Sequence, residues 1–174
     1  NTVPDQPIVP TTSLDNEVPV TPTNSTPSAQ ASSTPETPAT VEPAASVVTV
    51  TTDVIRARID TAGGTLRQLE LLKYPASSGE EDAGPFLLLN DQLPDLFMAQ
   101  SGLLGEDAPN HTAIMTAQKS QYQLKDGADD VEVVLTWRSD KGIDVRKIFE
   151  FKRGQYQLNV RYEVQNNSAA PWVA

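Results

Sequence analysis

The chain has 174 residues and a formal charge of −10, from 23 acidic and 13 basic residues. An acidic chain without an arginine-rich stripe disfavours nucleic-acid binding, so we expect no nucleic acid as a partner. Cysteine is absent, which excludes disulfide bonds and thiolate metal sites, and no apolar run approaches the roughly 20 residues of a membrane-spanning helix.

Residues 1–45 differ in composition from the rest of the chain. They contain nine of the fourteen prolines, fourteen Ser or Thr and five acidic residues, and they lack basic, aromatic and glycine residues. Such a segment has too little apolar area to offset the chain entropy lost on folding, and its prolines favour an extended spacer. We therefore predict a disordered, acidic Pro/Ser/Thr-rich linker at 1–45 and a folded domain at 46–174.

The domain begins with two short runs that alternate apolar and polar residues, 47–52 and 54–59, and each predicts a strand. The pair Gly63-Gly64 follows. A phosphate-binding loop needs other glycine spacing and a helix after it, so we interpret the pair as a turn with positive φ. The pattern after the glycines, up to Leu72, fits a strand and leaves a helix as a second interpretation.

The middle of the domain contains three further candidate strands, at 86–89, 96–100 and 121–125. Between the turn region and these strands lies Ser77–Gly84, with the sequence SSGEEDAG, which is typical of a solvated loop. These short runs predict additional strands beside the longer strands of the C-terminal part of the domain.

The clearest pattern lies near the C-terminus, where three runs alternate apolar with polar residues and are separated by SDKG and Arg153-Gly154. They predict a three-stranded antiparallel meander with one apolar face. A second sheet must cover that face, so the predicted fold is all-β, an antiparallel β-sandwich. The apolar positions are Val131, Val133, Leu135, Trp137, Ile143, Val145, Phe149, Phe151, Tyr156, Leu158, Val160, Tyr162 and Val164.

No group of residues predicts catalysis. His111 is the only histidine and has no second ligand for a metal site. The acidic run Glu80–Asp82 lies in a predicted loop, Asp129-Asp130 is part of a predicted hairpin turn that contains Asp-Gly, and Ser101-Gly102 lacks the GxSxG pattern. We therefore predict no catalytic, cofactor-binding or metal-binding residues, no cofactor, and no enzyme. The strand aromatics are interpreted as core, with sugar or peptide binding as the alternative.

Three stretches carry a resemblance to a known family. They are VTVTTDVIRARIDTAGGTLRQLELLKYP, AQSGLL at 99–104, and FEFKRGQYQLNVRYEVQNNS at 149–168. In this order they resemble the first part of the periplasmic domain of the YidC family of bacterial membrane protein insertases. The resemblance implies a β-supersandwich similar to galactose mutarotase, a linker that tethers it to a preceding membrane helix, later strands beyond Ala174, and an insertase core of five membrane helices.

The resemblance also implies a function. This segment would lie in the periplasm at the bacterial inner membrane, as a non-catalytic module that assists membrane protein insertion and folding as a scaffold or docking surface. Its implied partners are the membrane-embedded insertase domain of the same polypeptide, Sec translocon components such as SecDF, and nascent membrane proteins. The family's functional arginine lies among the membrane helices, so no arginine of this chain inherits that role.

Two other classes of function stay open at this point. One is a carbohydrate-binding or epimerase-like extracytoplasmic β-sandwich, although His111 alone cannot supply the paired histidines of mutarotase chemistry. The other is a generic extracytoplasmic interaction module on a stalk.

Overall fold

A computed structural model describes residues 45–79 and 83–174, so the predicted linker lies almost wholly outside the described residues. The described residues form nine strands and no helix, and therefore no helix that could cross a membrane. The strands are β1 Val47–Thr51, β2 Ile55–Asp60, β3 Thr65–Pro75, β4 Pro85–Leu89, β5 Thr116–Ala117, β6 Gln121–Gln123, β7 Asp130–Arg138, β8 Ile143–Lys152 and β9 Leu158–Asn166.

The strands form two sheets. One has five strands in the order β4-β3-β2-β1-β6, and the other has four in the order β5-β7-β8-β9. Every pair is antiparallel except β1 and β6, which run parallel with Thr49 opposite Gln121. The predicted all-β, mostly antiparallel fold is therefore confirmed, with one parallel pair that the sequence pattern did not indicate.

The inward faces of the two sheets share one apolar core. Its members come from both sheets, which is the arrangement of a sandwich. The buried cluster comprises Val48, Val50, Val54, Ile55, Ala57, Ile59, Leu66, Leu69, Leu89, Met115, Val133, Leu135, Phe149 and Phe151. The predicted alternation in β2 is confirmed, because Ile55, Ala57 and Ile59 are buried and the intervening arginines are exposed.

The segment after the glycines is a strand, so the helical interpretation is wrong. The pairing of β2 with β3 shifts register between Arg58 and Ile59, because Gln68 and Leu66 are successive partners and Arg67 is an extra residue. Such a β-bulge changes which side chains face inward. It therefore lets both Leu66 and Leu69 reach the core, and this explains why the alternation in the sequence was ambiguous.

The C-terminal meander of β7, β8 and β9 is confirmed, with long ladders on both sides of β8. The interpretation of its aromatic and aliphatic side chains as core is wrong for Tyr156, Val160 and Val164, whereas Leu158 packs against the core. Phe149 and Phe151 are buried, but Tyr156 is 38%, Val160 40% and Val164 44% exposed. The reason is topological, since β9 is the outer strand of its sheet.

The predicted strand at 96–100 is also wrong. Phe97 bridges Asn90, whereas Ala99 bridges Leu66, so the two residues pair with different partners and no ladder forms. Both lie in a connection from residue 90 to residue 115 that contains only isolated bridges, here called the long loop.

Candidate functional site

The main chemical feature of the described residues is a buried lysine. Lys147 lies in the middle of β8, at an inward-facing position between Val145 and Phe149, and its exposed fraction is 1%. Leu135 of β7 and Tyr162 of β9 stand opposite it in the two ladders. The strand alternation therefore directs a charged side chain into the space between the sheets.

The ammonium group donates to three backbone carbonyl oxygens. Its Nζ lies 2.8 Å from the oxygen of Gly63, 2.9 Å from that of Gly64 and 2.9 Å from that of Ser101. It also lies 5.3 Å from the centroid of the Phe149 ring and 5.6 Å from that of Tyr162, which is within cation–π range. All three N–H donors of the lysine are thus used. We call Lys147 and these three carbonyl groups the lysine site.

The lysine site contains no counter-ion. Among the described residues, no carboxylate forms an ion pair with Lys147. Burial lowers the pKa of Lys147 from 10.5 to about 8, because desolvation disfavours the charged amine. The amine is therefore mostly protonated at neutral pH, and its charge is stabilised by backbone dipoles and aromatic faces.

The two turn glycines meet different neighbours. Both have positive φ, 64° for Gly63 and 60° for Gly64, which confirms the predicted turn. A Cβ on Gly63 would lie 1.9 Å from the carbonyl oxygen of His111, and a Cβ on Gly64 would lie 2.8 Å from Cδ of Lys147. The turn needs glycine both for its backbone conformation and for these close approaches.

The long loop is attached to the sandwich at several points. Asp91, near its start, accepts from Gln92 and from Gln68 of β3 and forms an ion pair with Arg67. These contacts, led by the hydrogen bond from Gln92, lower the pKa of Asp91 against an opposing effect of desolvation.

Further along the loop, Leu66 and Ala99 exchange two backbone hydrogen bonds of 2.9 and 3.0 Å. The Ser101 hydroxyl lies 3.2 Å from the Tyr162 hydroxyl. Together with the bond from Lys147, these contacts join the middle of the long loop to both sheets.

Among the described residues, those considered in the sequence for catalysis share no side-chain hydrogen bond or ion pair with one another, although the backbone of His111 lies against Gly102. His111 is exposed, Asp107 forms an ion pair with Lys141, and Asp129 and Asp130 are exposed. The run Glu80–Asp82 lies outside the described residues. Within the part of the chain that the structure describes, no three His, Cys, Asp or Glu side chains are grouped for a metal ion. The prediction of no site residues stays a prediction.

The Arg153-Gly154 pair has a structural role. The guanidinium of Arg153 donates to the carbonyl oxygens of Ala128 and Lys125 at 2.9 and 2.7 Å, which closes the predicted Asp-Gly turn before β7. The backbone N–H of Gly154 donates to the Asp53 carboxylate at 3.0 Å. This pair therefore connects the β8–β9 turn to one end of each sheet.

Lys147 was missed in the sequence analysis, although a signal for it was present. The apolar positions Ile143, Val145, Phe149 and Phe151 have period two, and Lys147 occupies the one position of that series that was left out. A charged residue at an inward strand position predicts a buried cation, and carbonyl groups of a glycine turn are suitable acceptors. The sequence around Lys147 does not show which turn supplies these carbonyl groups.

Comparison with known proteins identifies the family. The profile of the family described as YidC periplasmic domain matches residues 47–174. The chain is 43% identical over 122 residues to the membrane protein insertase YidC of Methylobacillus flagellatus, which covers 70% of this chain and 22% of that protein.

Two further relatives match in the same way. The insertase YidC of Methylococcus capsulatus is 42% identical over 127 residues, covering 72% of this chain and 23% of that protein. The insertase YidC of Thioalkalivibrio sulfidiphilus is 39% identical over 156 residues, covering 84% and 28% respectively. The chain thus spans 22% to 28% of the length of these curated relatives. With its all-β sandwich and its match over residues 47–174, the chain belongs to the YidC periplasmic domain family.

Proposed function

We propose that this chain is a non-catalytic periplasmic module of a membrane protein insertase at the bacterial inner membrane. It assists insertion and folding as a scaffold or docking surface. The observation that carries the proposal is the family match over 47–174, supported by relatives that are named membrane protein insertases. We further propose the division into a linker at 1–45 and a domain at 46–174.

The chemistry of the described residues supports a role without catalysis. Lys147, the residue with the most perturbed environment, uses all three donors on backbone carbonyl groups and is buried. A general base or nucleophile needs a free lone pair or an accessible substrate position. The lysine site therefore fits a structural role.

A docking surface is supported by exposed apolar side chains on the long loop. Leu93 is 82%, Phe97 64% and Leu104 83% exposed. We propose that these three side chains form part of a contact surface for a partner. We propose the membrane-embedded insertase domain of the same polypeptide, SecDF and nascent membrane proteins as its partners.

The proposal is tested in a chimera. Residues 46–174 replace the matching segment of the Methylobacillus flagellatus insertase, in cells that depend on this protein for growth. A photo-crosslinking amino acid is placed at Leu93, Phe97 or Leu104, and at the exposed Gln165 of β9 as a matched control. We expect growth, insertion of a reporter membrane protein, and crosslinks from the loop positions to the proposed partners. Crosslinks that are equal at Gln165, or absent at all positions, contradict the docking role.

The absence of catalysis is tested in the same chimera with His111→Ala. We expect unchanged growth and unchanged reporter insertion, because the His111 side chain is exposed and has no second ligand among the described residues. Loss of growth at normal expression contradicts the proposal. Mutarotation of an aldose by the purified chain, abolished in the variant, would instead support the epimerase-like alternative.

A further inference from the structure

The long loop is unusual for a connection in a small sandwich. Between the end of β4 and the start of β5 it runs for 26 residues and forms only isolated bridges. Ordered loops of this length without regular structure are uncommon and are often functional, for example as lids. Its two flanks return to the same turn region, since Ala99 pairs with Leu66 and Ile114 with Ala62.

The loop is compact in itself. A Cβ on Gly102 would lie 2.6 Å from the backbone carbon of Asn110, so the two arms of the loop touch each other. The N–H of Leu103 donates to the Pro109 carbonyl oxygen at 3.0 Å. A segment with its own internal contacts can separate from a sheet as one body.

Lys147 has two opposite effects on the free energy of the closed loop. The bond from Nζ to the Ser101 carbonyl oxygen joins β8 to the loop, and charged hydrogen bonds are the stronger ones. Against this, the charge of Lys147 is buried without a counter-ion among the described residues, which costs desolvation free energy. The net contribution of Lys147 to closure is therefore smaller than its hydrogen bonds alone would give.

We propose that the part of the long loop between its bridges at Ala99 and Ile114 opens as a unit from the sandwich while both sheets stay folded, and that Lys147 is the residue that sets how often it opens. Opening separates Ser101 from Lys147 and from Tyr162. It uncovers the Tyr162 face of β9, which continues into the exposed Val160 and Val164. The loop therefore acts as a lid over part of an apolar surface.

Opening is linked to protonation of Lys147. The amine has a pKa of about 8 in the closed state, and this pKa rises towards its ordinary value when water reaches the amine in the open state. The open state therefore binds the proton more tightly, and raising the pH above about 8 favours closure.

Few other ionisable groups face the ammonium. β7 places Leu135 beside it and the turn contributes backbone, while His111 meets the turn through its own backbone. The phenol of Tyr162 on β9 is the one ionisable side chain that the described contacts place next to it. A Tyr162→Phe variant therefore separates the effect of the phenol from that of the amine.

Hydrogen exchange read by mass spectrometry tests this opening in the 174-residue chain. Peptides that contain Leu103 and Ala108 report the loop, because the amides of both residues are bonded within it, and peptides of β1 and β2 report the sheets. In the parent we expect the loop amides to exchange faster than those of β1 and β2. In Lys147→Met, which keeps a long apolar side chain but leaves three carbonyl groups without a donor, we expect the loop amides to lose protection by about tenfold while β1 and β2 change little.

The parent and Tyr162→Phe are then compared at about pH 7 and about pH 9.5, with each rate divided by the intrinsic rate at that pH. Loop protection should rise by at least about tenfold in both proteins. A variant that fails to fold does not remove this test, because the parent carries it. The proposal is overturned if loop and sheet amides exchange together in a single opening, or if loop protection in the parent is independent of pH.

Discussion

Lys147 and Gly64 depend on each other. The lysine can be buried because two carbonyl groups of a tight turn point towards its amine, and the turn can approach because residue 64 has no side chain. Each residue alone would be unfavourable in its position, since one is a buried charge and the other a flexible glycine. Their combination explains why the turn and β8 meet at this point.

The first prediction concerns the turn glycines. Gly64→Ala places a Cβ 2.8 Å from Lys147 Cδ and 3.1 Å from Leu135 Cδ1, at a φ of 60°. Gly127→Ala is the matched control, because its φ is 76° and nothing lies within 4 Å of its Cβ. We expect about 1–3 kcal/mol of backbone strain in both variants and a further loss in Gly64→Ala. Urea unfolding measures the difference, and equal losses would mean that the turn does not pack on Lys147.

The second prediction concerns the pH dependence of stability. The pKa of Lys147 is about 8 in the folded chain against 10.5 as the ordinary value. Between these values the unfolded chain binds more protons, so the free energy of unfolding rises with pH. Relative to Lys147→Met, the parent should gain up to about 3 kcal/mol across this window.

Groups that do not contact Lys147 contribute alike to both stability curves, so the difference between the curves reports Lys147 and its immediate neighbours. Urea unfolding of both proteins at a series of pH values provides the measurement. Parallel stability curves would show that the amine is hydrated in the folded chain.

At the scale of elements, strand pairing is reinforced by side chains that close the turns. Arg153 follows β8 and donates to two carbonyl groups of the turn before β7. The backbone N–H of Gly154, between β8 and β9, donates to Asp53, which lies between β1 and β2. The outer face of the β7–β9 sheet has ion pairs instead, such as Arg146 with Glu163. Exposed ion pairs contribute little to stability, so the turn contacts are the more important ones.

The third prediction compares these two kinds of arginine. Arg153→Ala removes two charge-assisted hydrogen bonds and should destabilise the chain by about 1–2 kcal/mol. Arg146→Ala removes an exposed ion pair and should have a smaller effect. Thermal unfolding of both variants gives the comparison. A larger effect of Arg146→Ala would contradict the assignment of Arg153 as the closing residue of the turn.

The accuracy of the sequence predictions also differs between elements. The long meander strands and the glycine turn were correct, because period two and positive φ are properties of local sequence. The segment 96–100 has a similar local pattern but pairs with two different partners, and β5 has only two residues. Short elements depend on tertiary pairing, so the sequence alone did not place them.

At the scale of the whole molecule, the predicted linker bears on stability. Its composition predicts that residues 1–45 contribute no packing. A chain that starts at Ser46 should therefore unfold within about ±0.5 kcal/mol of the full chain, as expected for a segment away from the core. Urea unfolding of the two chains is the measurement. A clear loss of stability on truncation would show that the segment packs on the domain.

The sequence by itself determined the all-β class, the meander, the turn and the family, because these follow from residue order, periodicity and composition. Only the tertiary structure decided the parallel β1–β6 pair, the bulge at Arg67, the exposure of β9 and the lysine site. Each of these depends on which distant segment lies alongside another. Lys147 shows the physical reason, since its three acceptors lie 84, 83 and 46 residues away along the chain. A local pattern can place the lysine on the inward face, but only the packed sandwich brings its acceptors to it.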